Sequence, residues 1–195
     1  SSTQNMNYLE ILGTIVGVIY LILEYRASVY LWIAGIVMPA IYIFVYYEAG
    51  LYADFGINIY YLLAAVYGLV VWKLGRTKNA DKEIEKPITH VPGKVYAPLA
   101  LVFAIAWLGI AYVLANYTNS NVVWLDSFTT ALSVVGMWLL AHKYVEQWLS
   151  WIAVDIVSAG LYVYKELYFT SVLYAVYAII AIFGYLKWKQ MMKEY

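Results

Sequence analysis

Trp148, Trp151 and Asp155 stand at i, i+3 and i+7 in an otherwise apolar run, HKYVEQWLSWIAVDIV, from His142 to Val157. On a helix these positions form one stripe, which Ser158 and Tyr162 continue. A carboxylate half way along a membrane segment costs at least about 2.5–3.5 kcal/mol on insertion scales and usually faces a cavity or a partner. Two indoles beside it suit a flat, positively charged aromatic. The rings stack on its face, each contact giving about 0.5–2 kcal/mol, and the carboxylate balances its charge. A neutral sugar does not need the acid, and an anion is repelled by it. The structural alternative is an Asp hydrogen-bonded to a neighbouring helix. A proton relay is a further reading, but no second acid lies near Asp155 on the same segment.

A second stripe, Tyr174, Tyr177, Ala181, Gly184 and Trp188, lies near the end of the chain, and Asn58, Tyr61, Ala65, Gly68 and Trp72 repeat its spacing. Small residues allow helices to approach closely, and Asn58 offers amide donors and an acceptor. Tyr61 and Tyr177 either face a lumen or simply pack. Trp72 and Trp188, each followed by Lys, read as an interfacial aromatic belt. Pro39 could kink its helix and free a carbonyl, as hinge sites do. Glu10 and Asp126 sit near helix ends as dipole partners, gate residues or solvated acids. Glu146 is either a gate or a cap. Thr129, Thr130 and Ser133 could line a path, or bond back to their own helix. GTIVG, Gly13 to Gly17, is a G-x-x-x-G pattern that signals close helix packing.

These residues need helices to hold them, and the composition supplies membrane helices. Of 195 residues, 65% are hydrophobic and 12% charged, against about 45–50% and about 25% in soluble domains. A span takes about 20 apolar residues. Seven segments meet that rule, at about 7–25, 29–47, 53–73, 95–116, 122–142, 145–164 and 167–190. Barrel strands with period-two alternation are not seen. One connection is long, Gly75 to Lys94, polar and broken by Pro87 and Pro92, and reads as a loop with a surface turn at most. With seven spans, one side carries Arg26, Lys73, Arg76, Lys78, Lys82, Lys86, Lys94, Lys143, Lys187, Lys189 and Lys193, and the other only Lys165. That bias predicts an outside N-terminus and a cytoplasmic C-terminus. The polar opening SSTQNMN has no basic n-region, so no cleavable signal peptide is expected.

The absence of Cys excludes disulfides and thiolate chemistry, and His90 and His142 make no metal cluster. No nucleotide loop, HExxH or GxSxG occurs. No cofactor, metal or nucleic-acid partner is expected.

Shifted by 116 residues, the chain matches itself. Without a gap, 15 of 65 positions from Leu9 to Lys73 are identical to Leu125 to Lys189, including Trp32 with Trp148, Tyr61 with Tyr177, Gly68 with Gly184 and Trp72 with Trp188. Each repeat holds three segments and one segment separates them, which predicts a 3+1+3 all-α membrane protein with parallel repeats. The units are 7–73, a cytoplasmic loop 74–94, a linker helix 95–116 and 122–190. Parallel repeats are one transporter architecture, with substrate held near the midplane. Duplication kept for packing alone is the plainer reading.

YLEILGTIVG, GLYADFGINIYYLLAAVYGLVVW, KYVEQWLSWIAVD and LYAVYAIIAIFGYLKW together resemble the Pnu family of bacterial vitamin transporters over nearly the whole chain. The resemblance implies seven helices, a SWEET-like fold, an inner-membrane homotrimer surrounded by lipid, and facilitated diffusion by alternating access. It implies Asn at the Asp155 position and Gln at the Asn58 position for the nicotinamide riboside branch, PnuC. Both differ here, so the chain is more similar to the thiamine branch, PnuT. An aminopyrimidine can also hydrogen-bond a carboxylate. By resemblance, Trp148, Trp151 and Asp155 contact substrate, with Asn58, Tyr61, Tyr174 and Tyr177. Nicotinamide riboside or riboflavin on the same fold is the alternative, and a membrane receptor that binds without transporting is the reading from another class.

Overall fold

The structure is a computed structural model and describes residues 2–194 apart from 49, 51, 75, 76, 80, 81 and 85. Among the described residues seven α-helices run in chain order: α1 Ser2–Tyr25, α2 Leu31–Glu48, α3 Tyr52–Leu74, α4 Tyr96–Tyr117, α5 Val123–Ala141, α6 Gln147–Tyr164 and α7 Tyr168–Met192. They occupy the seven apolar segments. Four, α3, α4, α5 and α7, are long and apolar enough to cross a membrane, and α1 and α2 hold shorter apolar stretches, Ile11–Tyr25 and Leu31–Val45. Large apolar side chains cover the outside, Phe44, Leu63, Leu101, Ile105 and Phe183 among them, as helices solvated by lipid require. The loop after α3 holds more than a turn: β1 Thr77–Asn79 pairs antiparallel with β2 Lys82–Ile84.

The 116-residue shift reappears in the helix bounds. Tyr25, Leu31, Glu48 and Tyr52 become Ala141, Gln147, Tyr164 and Tyr168. The helix ends agree too. Ala27 and Lys143 both have positive φ, 53° and 59°, and Gly50 and Glu166 follow at 73° and 60°. Each sits just past a helix end, where a left-handed residue returns the last carbonyls to a hydrogen bond. Ala27 N–H donates to Glu24 O and Ser28 N–H to Leu23 O, and Lys143 and Tyr144 repeat both bonds on Leu140 and Leu139.

Side-by-side pairs carry the correspondence into packing. α3 lies along α5, where the Tyr60 hydroxyl donates to Val134 O at 2.9 Å. α7 lies along α1, where the Tyr177 hydroxyl is 3.3 Å from where a Gly17 Cβ would be. α4 packs chiefly on α5. The core gathers at one end around Trp32, Trp72, Trp148 and Trp188, all with no exposed surface. Trp32 meets Trp72 edge-on at 5.5 Å and 89°, and Trp148 meets Trp188 at 5.7 Å and 89°. Gly68 and Gly184 make the room, since a Cβ on either would lie 2.5 or 2.7 Å from the indole of Trp32 or Trp148. Trp72 and Trp188 therefore belong to the interior and not to an aromatic belt. Their N–H groups cross between halves, Trp72 donating to Leu140 O at 3.1 Å and Trp188 to Glu24 O at 2.8 Å.

Candidate functional site

Above the tryptophans a cavity of about 350 Å³ is lined by Gly17, Tyr20, Leu21, Glu24, Gly35, Pro39, Tyr61, Ser133, Met137, Trp151, Val154, Asp155, Tyr174 and Tyr177. That volume is in the range of small-molecule sites, roughly 300–1,000 Å³. Five pairs of these residues are related by the 116-residue shift: Gly17 and Ser133, Leu21 and Met137, Gly35 and Trp151, Pro39 and Asp155, Tyr61 and Tyr177. The two halves contribute unequally. Where α6 places an indole and a carboxylate, α2 places Gly35 and Pro39. Pro39 has no N–H to give its i−4 residue, and that residue is Gly35, on the same wall. A second cavity of about 470 Å³ shares Gly17, Tyr20, Gly35, Tyr174 and Tyr177 and runs on toward Gly13, Phe169 and Thr170. The path thus extends toward the starts of α1 and α7 and stops at the tryptophans.

The anticipated residues divide. Trp151, Asp155, Tyr61, Tyr174, Tyr177 and Pro39 share the cavity. Asp155 is 8% exposed and, among the described residues, has no salt bridge. Among the described residues no Lys or Arg lines the wall. Trp151 lies against Gly136, where a Cβ would be 3.1 Å from its ring. Trp148, one turn earlier, is 0% exposed and packs on Gly184 and Trp188. It belongs to the floor, because a stripe of i, i+3 and i+7 spans two turns and only the upper part reaches the opening. Asn58 lies on α3 about one turn before Tyr61, farther from the tryptophans, and is not among the lining residues.

The proposed end residues have specific partners. Asp126, in the first turn of α5, accepts from Ser120 Oγ at 2.8 Å and Lys165 Nζ at 3.3 Å. Glu146 is not a side-chain cap of α6. Its carboxylate meets His90 Nδ1 at 2.7 Å and accepts from the Val91 N–H at 3.1 Å, tying the preceding loop to the α5–α6 turn. Glu10 is in α1, and its side chain lies outside the described residues. Thr129, Thr130 and Ser133 all donate back to helix carbonyls, and Ser133 also lines the cavity. The two glycines of GTIVG admit tyrosine hydroxyls, Tyr42 at Gly13 and Tyr177 at Gly17, in place of a helix backbone.

Glu24 is the residue that pattern reading passed over. It is 2% exposed, lines the cavity and leaves Oε1 without a hydrogen-bond partner. It stands beside Arg26 at the end of a segment, so by position it resembles an ordinary end charge. The signal was its repeat-mate, Leu140, a core position.

Seven helices among the described residues, a lipid-compatible exterior and an internal aromatic cavity with two acids define a polytopic helical membrane protein. Comparison with known proteins narrows this class. The nicotinamide mononucleotide transporter family model matches residues 7–190, and the chain belongs to that family, one of transporters and not of enzymes. It is 23% identical to the nicotinamide riboside transporter PnuC of Escherichia coli, over 97% of this chain and 88% of that one. It is 23% identical to the riboflavin/roseoflavin transporter RibM of Streptomyces davaonensis, over 95% and 86%. The crystal structure of the vitamin B3 transporter PnuC superposes with a TM-score of 0.72 at 20% identity, over 96% of this chain and 83% of that one, which shows a shared fold.

Proposed function

We propose that this chain carries a flat, positively charged aromatic vitamin across the bacterial inner membrane by facilitated diffusion with alternating access. The observation that carries the reading is one cavity holding Asp155, Trp151 and four tyrosines, with no cationic side chain among the described residues of its wall. Such a site stabilises a planar cation by stacking and charge balance and offers little to an anion. Nicotinamide riboside is the first candidate, supported by the names of the relatives. Thiamine is the second, and the specific observation favouring it is the pair of carboxylates, since an aminopyrimidine donates N–H to an acid. Riboflavin has no cation to match either acid.

The same reading takes α1–α3 and α5–α7 as parallel repeats, units 7–73 and 122–190, joined by a cytoplasmic loop and α4 as linker. The coincident helix bounds support it. The eleven-to-one distribution of basic residues supports an outside N-terminus. Asp155 and Trp151 bind, with Tyr61, Tyr174 and Tyr177 around them, and Pro39 supplies the hinge. The homotrimer implied by the family resemblance belongs to the proposal, and the mass of the detergent-solubilised protein tests it. The deciding experiment titrates purified protein with the three vitamins by tryptophan fluorescence, then measures uptake into proteoliposomes. Asp155→Asn is expected to weaken the best ligand tenfold or more. An unchanged affinity removes Asp155 from the site. Binding without uptake makes the protein a receptor.

A further inference from the structure

The cavity has a second polar feature besides Asp155. Glu24 is on α1, on the floor side, with Oε1 buried and unpartnered. The amide of Gln147, at the start of α6, lies beside that carboxylate. It is fully buried, yet both Nε2 and Oε1 lack hydrogen-bond partners. Trp151 lines the same cavity with its Nε1–H unpartnered. Buried polar groups in native proteins are almost always paired, and leaving them unpaired is costly where water is excluded. Here two acceptors and two donors go unpaired, Glu24 and Trp151 on the cavity wall and Gln147 beside Glu24. The repeat shift sharpens the point, because Glu24 corresponds to Leu140 and Gln147 to Leu31, both buried core leucines. In the other half apolar residues fill both positions.

Resting on the proposed function, we infer that Glu24, positioned by Gln147, forms a second subsite that accepts an N–H edge of the bound cation, an amino or amide group set beside a hydrogen-bond acceptor. Asp155 balances the ring charge and Glu24 reads the edge. The carboxylate takes the N–H, while the Trp151 indole N–H on the same wall serves the adjacent acceptor. An edge that presents a carboxylate or a keto oxygen to Glu24 meets a like charge or a lone pair. Sites built to hydrogen-bond a substrate group reject analogues lacking it far more strongly than apolar pockets do. Glu24 is therefore a specificity-determining residue, and Gln147 its positioning residue.

The test compares two matched pairs of ligands on the purified full chain by tryptophan fluorescence: nicotinamide riboside with nicotinic acid riboside, and thiamine with oxythiamine. Each pair differs only at the edge. The wild-type protein is expected to prefer the amide or amino member of the pair it binds by about tenfold or more. Glu24→Gln should cut that preference to within about threefold, whereas Asp155→Asn should weaken both members together. Gln147→Leu, which places the repeat-mate's residue there, should also reduce the preference, and it serves if Glu24→Gln does not fold. Wild-type binding with the preference unchanged in whichever variant folds overturns this inference and leaves the proposed function standing. No binding of any of the four ligands by the wild-type protein overturns both.

Discussion

Three glycines hold three indoles, and they hold them by absence. At Gly68 and Gly184 an added methyl would lie 2.5–2.8 Å from the face of a fully buried tryptophan, so the ring must move. Overpacking of this kind costs about 1–3 kcal/mol. Gly68→Ala and Gly184→Ala should each lower the thermal midpoint in detergent, and by similar amounts, because each repeats the other's surroundings. Gly136→Ala is the useful contrast. Its methyl would lie 3.1 Å from Trp151, a ring with the cavity on its other side. That ring can yield, so stability should hold better while vitamin affinity changes severalfold. A full loss of folding in Gly136→Ala would place Trp151 in the core and not on the wall. Residue chemistry was readable in part for the same steric reason. The spacing of Trp148, Trp151 and Asp155 fixes their common face, but depth along that face depends on where Gly184 and Trp188 fill the space. Glu24 was hidden because an acid near a segment end is ordinary until its neighbours are known.

Helix ends show what holds the elements in place. Ala27, Lys143 and Glu166 occupy left-handed backbone without being glycine, while Gly50 fills the equivalent place after α2. The conformation costs a residue with a Cβ about 1 kcal/mol or more. Ala27→Gly and Glu166→Gly should thus raise stability by about 1 kcal/mol each, read as a higher thermal midpoint, with ligand affinity unchanged. Lys143 is a poorer test, since its ammonium also lies 4.5 Å over the Trp72 ring. The loop 86–92 is tied to the α5–α6 turn by Thr89 N–H to Lys143 O, Val145 N–H to Thr89 O and the Glu146 contacts. Glu146→Gln should increase amide exchange in residues 88–92 before any other segment, and equal exchange there would show that the backbone bonds suffice. His142 closes the same corner, with Nε2 2.9 Å from the Tyr67 hydroxyl and its ring 4.3 Å from that of Trp138. Burial, and after it the Lys86 ammonium, holds this imidazole below its ordinary pKa of 6.5. The folded state therefore favours the neutral ring. Its contribution is present above the unfolded value and lost as pH falls below it. His142→Gln should flatten the decline in thermal midpoint between roughly pH 7 and pH 5. All seven helices were legible, because length and hydropathy decide them. The strands β1 and β2 were not, since three-residue strands in a charged loop have no periodicity to read.

At the scale of the whole molecule, the two halves are tied by an exchange. Trp72, from the first half, gives its N–H to Leu140 O in the second, and Trp188, from the second, gives its N–H to Glu24 O in the first. Leu140 and Glu24 are themselves related by the 116-residue shift. Each bond caps the end of a helix in the other half, at carbonyls that also receive the Lys143 and Ala27 amides. The four rings between them close the path below the cavity, with Trp72 and Trp188 in contact across the halves at 6.4 Å. Any motion that opens this end must part those two rings and break or carry along both crossed bonds. The repeat predicted that the rings would be equivalent. It could not place them at the centre, because a tryptophan followed by lysine is equally at home at a membrane surface. Replacing Trp72 or Trp188 by Phe keeps most of the packing and removes one donor, leaving a buried carbonyl short of one partner at about 1–3 kcal/mol. If the crossed bonds hold the closed end shut, each single variant should expose that end, seen as faster labelling of a cysteine placed at Met191 from the side of the C-terminus. The two effects should be nearly equal. The double variant should exceed their sum in labelling, because one bond still restrains both halves when the other is lost. Labelling that rises in one single variant only would show that the closure is asymmetric and that the second bond is structural.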